Sequence, residues 1–217
     1  MKLSKGIGNR EDRGCWMTAV SVYANETWSA HPSCVPPTIR WLCIILNDML
    51  PSDAERERVI GPVLFLPVGA DPSPEAEQER AFLCADRAVR VFAPKALDAA
   101  GMTDEAQALR DLQPVTNKES AHAARAVADA AGRAANAAGA ADAAAVAAAA
   151  TAAAYAAGAT RAVRAAVAVA AAVWAADAAA DADADLMQLI IDCCRVGQKS
   201  EADTERVAET LELIRHW

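Results

Sequence analysis

The residues able to do chemistry crowd into one stretch, from Gly14 to Asp48. It holds Gly14-Cys15-Trp16, then Asn25 to Cys34 with Glu26 and His31 inside it, then Cys43 and the pair Asn47-Asp48. Cys15, His31 and Asn47 stand in the chain order of a Cys–His–Asn nucleophilic site, where a thiolate attacks, an imidazole holds its proton and an amide orients the imidazole. Cys15 falls in the first turn of an expected helix, whose dipole favours a thiolate. A zinc site is the second chemistry on offer, drawn from Cys15, His31, Cys34 and Cys43, because His31-x2-Cys34 has tolerable ligand spacing.

Neither pattern is complete. The tripeptide Gly14-Cys15-Trp16 resembles the local signature of papain-type proteases, but those enzymes place their His on the order of a hundred residues or more downstream. The zinc set lacks a second paired motif, and Cys43 lies in Arg40-Trp41-Leu42-Cys43-Ile44-Ile45-Leu46, the most apolar run of the region, where it reads as core. The third reading is structural and is the one favoured. Asn47 and Asp48 end an apolar helix, and buried polar side chains need partners. With Glu26 and His31 they form a polar cluster that pins the loop from Thr27 to Pro37, with Glu26 pairing to His31. No motif asks for a cofactor. Adjacent Cys193 and Cys194 read as core thiols at a helix end, with redox sensing as the sharper alternative.

The elements that must position these residues are helical. No segment alternates apolar and polar residues between turn signals, so no sheet is expected. Asp12 caps a first helix running to about Glu26, and Pro36-Pro37 opens a second, from Thr38 to Leu50. Ser52 and Glu55 have capping-box spacing and start a charged helix to Ile60. Ser73-Pro74-Glu75 opens a helix to about Val91, and two short ones follow, Pro94 to Ala100 and Thr103 to Leu112, parted by Gly101. Thr116 and Glu119 repeat the capping-box spacing. A terminal amphipathic helix, Glu201 to Arg215, is capped by Ser200.

Between those last two signals the composition changes. Alanine fills 40 of the 64 positions from 121 to 184, and alanine has the best helix propensity. Gly139, Gly158 and Gly197 read as helix stops, which favours antiparallel segments over one long rod. Lys118, His122, Arg125, Asp129, Arg133 and Asn136 advance in steps of four and three. Such steps hold one polar stripe and leave an alanine face opposite it, suited to close helix-on-helix packing.

Charge and length limit the rest. The 217 residues carry a net charge of -8 with a pI near 4.9, which argues against nucleic acid or an anionic membrane surface as partner. The basic start, Met1 to Arg10, has no apolar run behind it and does not read as a signal peptide. Six cysteines in a chain of this size are expected as reduced thiols in the cytoplasm. The uncharged run from Ala143 to Thr160 barely reaches membrane-spanning length and lacks aromatic belts and basic flanks.

The stretch Cys15-Trp16-Met17, Asn25 to Cys34 and Leu46-Asn47-Asp48-Met49-Leu50-Pro51 resembles a group of uncharacterised proteins from high-GC bacteria and their phages, which join such an N-terminal region to an alanine-rich second half. The resemblance covers about residues 13–112 and implies no activity.

The expectation is therefore an all-α protein. Residues 1–12 form a flexible N-terminus, 13–115 a compact helical domain, 116–197 long alanine-rich helices packed as a hairpin or bundle, and 198–217 the amphipathic helix. Its expected role is non-enzymatic interaction or self-assembly, as a homo-oligomer or with a helical partner, through the alanine face. The rival class is a zinc protein or Cys-dependent enzyme centred on Cys15, His31 and Cys34.

Overall fold

Helix starts and stops are set by local chemistry, and most of them are visible in the computed structural model, which describes residues 1–6, 8, 12–158, 164, 165, 168 and 182–197. Its architecture is all-α apart from one small strand pair. Helix α1 is Trp16–Tyr23, α2 Pro37–Met49 and α3 Asp53–Ile60. Then come α4 Pro74–Arg87, α5 Ala93–Ala99 and α6 Thr103–Arg110. The alanine-rich part gives α7 Lys118–Ala137, α8 Ala141–Gly158 and α9 Ala182–Arg195. The terminal helix expected over Glu201 to Arg215 lies outside the described residues.

The chain forms two compact units: Met1–Ala76 with the chain from Ile190 onward, and Glu77–Leu189. The division falls inside α4 and α9, away from the composition change near residue 116.

In the first unit Trp16, Met17, Val20, Ile39, Leu42, Leu46 and Ile60 are fully enclosed. Trp16 keeps its indole N–H satisfied at the Leu64 carbonyl, 2.8 Å away, as a buried polar tip requires. Two strands are present where none was expected. β1, Lys2–Leu3, pairs in parallel with β2, Arg13–Gly14. Each is only two residues long, too short for any alternation to be read. The expected flexible start is thus tied down at its head: Leu3 is buried, and its N–H donates to Glu57 Oε1 at 2.6 Å. Gly8 lies against β2 in a left-handed conformation, where any Cβ would meet the Arg13 carbonyl oxygen at 2.1 Å.

Helix α1 begins and ends later and earlier than its sequence signals suggested. Cys15, not Asp12, is its N-cap. Asn25 takes the left-handed conformation, φ 58°, and the Asn25 and Glu26 amides donate back to the Val22 and Ser21 carbonyls. That double bond pattern closes a helix, and Asn tolerates the conformation better than other side-chain-bearing residues. Ser52 caps α3 as expected, its hydroxyl accepting the Glu55 N–H at 3.2 Å. Buried Arg56 then serves the end of α2: its guanidinium donates to the Asn47 and Leu50 carbonyls at 2.7 and 2.5 Å and to Asp53 at 2.9 Å.

The second unit opens with a continuous helical run from α4 to α5, joined by a π-turn at Ala88–Phe92. The Ala93 N–H reaches back five residues to the Ala88 carbonyl. Pro94 explains the widening: it has no N–H to offer, and its ring would press on the carbonyl four residues back in a regular helix. Buried pairs recur along the run at 80/81, 84/85, 88/89, 92/93 and 96/97. Gly101, φ 77°, stops α5 as expected.

Helices α7 and α8 form the hairpin. The N-cap of α7 is Asn117 in a reciprocal box with Ser120, one residue beyond the expected Thr116. Ala121, Ala124, Ala128, Ala131 and Ala135 face inward, while all six residues of the polar stripe are exposed. Gly139 turns the chain into α8. There Ala143, Ala147, Ala150 and Ala154 are buried, and α8 packs on α7, on α5 and on the π-turn. Small side chains make this possible: a Cβ on Gly132 would sit 3.4 Å from the Ala147 methyl.

Candidate functional site

The residues singled out between Gly14 and Asp48 all fall in the first unit, but they do not gather into one site. Cys15 is buried and used as a cap, its sulfur accepting the Thr18 N–H at 3.4 Å and lying 3.1 Å from the Thr18 hydroxyl. Asn47 faces the backbone of Trp16 and Ser4: Oδ1 accepts the Trp16 N–H at 3.1 Å, and Nδ2 donates to the Ser4 carbonyl at 3.1 Å. Asp48 accepts from Asn47 Nδ2 at 3.0 Å and from the Gly6 N–H at 3.3 Å. The Asn47-Asp48 pair therefore fastens the N-terminal segment and the start of α1, not the loop from Thr27 to Pro37.

That loop is held by Glu26. Its carboxylate accepts the Ser33 N–H at 2.6 Å, the Ser33 hydroxyl at 2.8 Å and the Cys34 N–H at 3.0 Å. The bond from the Ser33 amide, above all, lowers the Glu26 pKa below its ordinary value. His31 is exposed and lies beside Trp41, ring centroids 6.0 Å apart, so the expected Glu26–His31 pair is replaced by Glu26–Ser33. Cys34 is half-buried, and burial followed by the charge of Glu26 pushes its thiol up. Cys43 is enclosed, and burial, then the nearby Cys194, Cys193 and Cys15 thiols, push it well up.

Among the described residues no group of three or more His, Cys, Asp or Glu side chains is placed to hold a metal ion. The four zinc candidates divide between the core, for Cys15 and Cys43, a half-buried site for Cys34, and the surface for His31. The nucleophilic arrangement divides in the same way, since Asn47 spends both ends of its amide on backbone groups remote from His31 in sequence. A short sequence interval did not become a shared location, because α2 turns Cys43 and Asn47 into the core while the loop carries His31 outward.

A second region has more of the character of a binding site. On the outer side of the hairpin, Lys118, His122 and Arg125 of α7 line a cavity of 290 Å³ with Ala154, Tyr155 and Gly158 of α8. Arg125 lies over the Tyr155 ring, Cζ 4.9 Å from its centroid, a cation–π arrangement. Tyr155 is 51% exposed. Further along, Asp129, Arg133 and Asn136 with Ala148 and Thr151 line a smaller cavity of 170 Å³, where Asp129 and Arg133 pair with each other. The spacing of the polar stripe foretold the α7 residues. Tyr155 was missed, because nothing in an almost wholly alanine helix says which side of it faces out.

No protein-family model matches the chain, and no curated protein or solved structure shows significant similarity to it.

Proposed function

We propose that this chain is a non-enzymatic helical interaction or self-assembly protein of the bacterial or phage cytoplasm. The observation that carries this reading is the packing of α7 on α8, which is made almost entirely of alanine with Gly132 set against Ala147. Methyl-lined surfaces let helix axes approach closely, at the low end of the usual 8–10 Å or below it. A second stripe of the same kind, Ala145, Ala148 and Ala152, remains exposed on α8. The inward-facing stripe supports the chain's own hairpin, and the outward-facing one is the surface offered to another helix.

The reactive residues favour the same reading, since Cys15, Glu26 and Asn47 are each engaged in holding backbone groups. Helix α8 is, among the described residues, the one helix long and apolar enough to cross a membrane, and half of it is buried within the protein. We read it as a core helix, in keeping with the net charge of -8, and propose neither a membrane nor a nucleic acid as partner.

Light scattering over a wide concentration range tests the proposal. A mass that rises with concentration, and returns to the monomer value in Ala148→Glu with its helicity unchanged, is the expected result. A strict monomer at every concentration removes self-assembly and leaves the hairpin as a purely internal structure.

A further inference from the structure

We infer that the cavity between the first turns of α7 and the last turns of α8 binds a phosphate dianion, free or as a small monoester. Three observations converge there. Lys118, His122 and Arg125 stand at helical spacing, four and three residues apart, and line one cavity. None of the three has an ion-pair partner among the described residues, in a protein whose net charge is -8. Glu119, the acidic side chain adjacent in sequence, is not among the lining residues.

The second cavity on the same hairpin supplies the contrast. Its cation, Arg133, is already neutralised by Asp129 one turn away. The first cavity thus keeps its positive charge, and the second does not.

The geometry also narrows the ligand. Arg125 lies over the Tyr155 ring, and a guanidinium can donate two parallel N–H bonds to paired oxygens. Lys118 adds a compact charge and His122 a further donor, so a group with three acceptor oxygens is matched better than a two-oxygen carboxylate. At 290 Å³ the cavity sits near the low end of ligand-site volumes, which suits a small ligand.

Two-dimensional amide NMR of the full chain, titrated separately with inorganic phosphate, phenyl phosphate and acetate, tests the assignment. Saturable shifts confined to the residues around Lys118 to Arg125 and Ala154 to Gly158 are expected with phosphate or its ester. Tighter binding of inorganic phosphate identifies the free anion as ligand, and tighter binding of phenyl phosphate identifies a monoester. Arg125→Gln should weaken binding at least tenfold and His122→Gln severalfold, with Arg133→Gln unchanged and all three variants folded by circular dichroism. Non-saturating shifts, equal response to acetate, or equal loss in Arg133→Gln would overturn it.

Discussion

Asn47 of α2 accepts the backbone N–H of Trp16 at 3.1 Å, and both residues are wholly enclosed. The same amide donates to the Ser4 carbonyl, so one side chain satisfies backbone groups on two sides of the N-terminal turn. Asn47→Ala strands both. Each unpaired buried group costs about 1–3 kcal/mol, and a loss of about 2–4 kcal/mol in urea unfolding is expected. A loss below about 1 kcal/mol would mean that water or another donor replaces the amide.

Arg56 acts at the end of the same helix. It is 3% exposed and joins the Asn47 and Leu50 carbonyls to the Asp53 carboxylate. A planar fork with fixed donors is what this geometry uses, and an ammonium group cannot span it. Arg56→Met should therefore lower stability by about 2–4 kcal/mol, and Arg56→Lys should recover less than half of that. Full recovery by Lys would show that charge alone is needed.

Gly132 of α7 is set against Ala147 of α8. A single methyl there meets Ala147 at 3.4 Å, an ordinary contact. Replacing a mid-helix Gly by Ala is worth up to about 1 kcal/mol in helix propensity, so Gly132→Ala should raise the melting temperature. Gly132→Leu forces the helices apart and should cost about 1–3 kcal/mol through overpacking. The opposite order of the two variants would be incompatible with the hairpin as described.

Glu26 predicts a pH dependence with a definite sign. Its folded pKa is depressed below the ordinary 4.5, so its contribution is present above that value and lost as the pH falls through the folded one. The difference in melting temperature between the protein and Glu26→Gln should shrink between about pH 6 and about pH 3. Removing the same charge relieves one cause of the raised Cys34 thiol, so Glu26→Gln should also label faster with maleimide at Cys34. Unchanged labelling would leave burial, the larger cause, as the sole brake.

Much of the fold was legible because helix boundaries are written in a few adjacent residues. Pro37, the Ser52–Glu55 pair, Gly101 and Gly139 each act within one turn of themselves, and each boundary lies close to its signal. Long-range partners escaped. Cys15 as a cap and the two-residue strands carry little preference of their own, and Asn25 as a stop carries a weaker form of the preference glycine has. Arg80 looks like a surface residue by type, yet it is fully buried with Glu77 as an ion-pair partner at 3.0 Å. The expected polar cluster does not gather, because Asn47 is matched by the backbone of Trp16 and Ser4, groups that every sequence contains, and Glu26 by Ser33. The cavity beside Tyr155 depends on the rotation of α8 against α7, and alanine on all sides leaves that rotation unmarked.

The π-turn before Pro94 also sets an angle. Buried pairs recur every four residues from Arg80 to Leu97, whereas successive residues of an α-helix advance by about 100°. Four such steps in a regular helix would swing the inward face by about 160°, nearly to the opposite side. One extra residue absorbed in the wide turn takes back about 100° of that swing. The turn that accommodates a proline is therefore also a phase corrector. It lets Ala81 and Leu97, more than four turns apart by the regular count, look into the same interior.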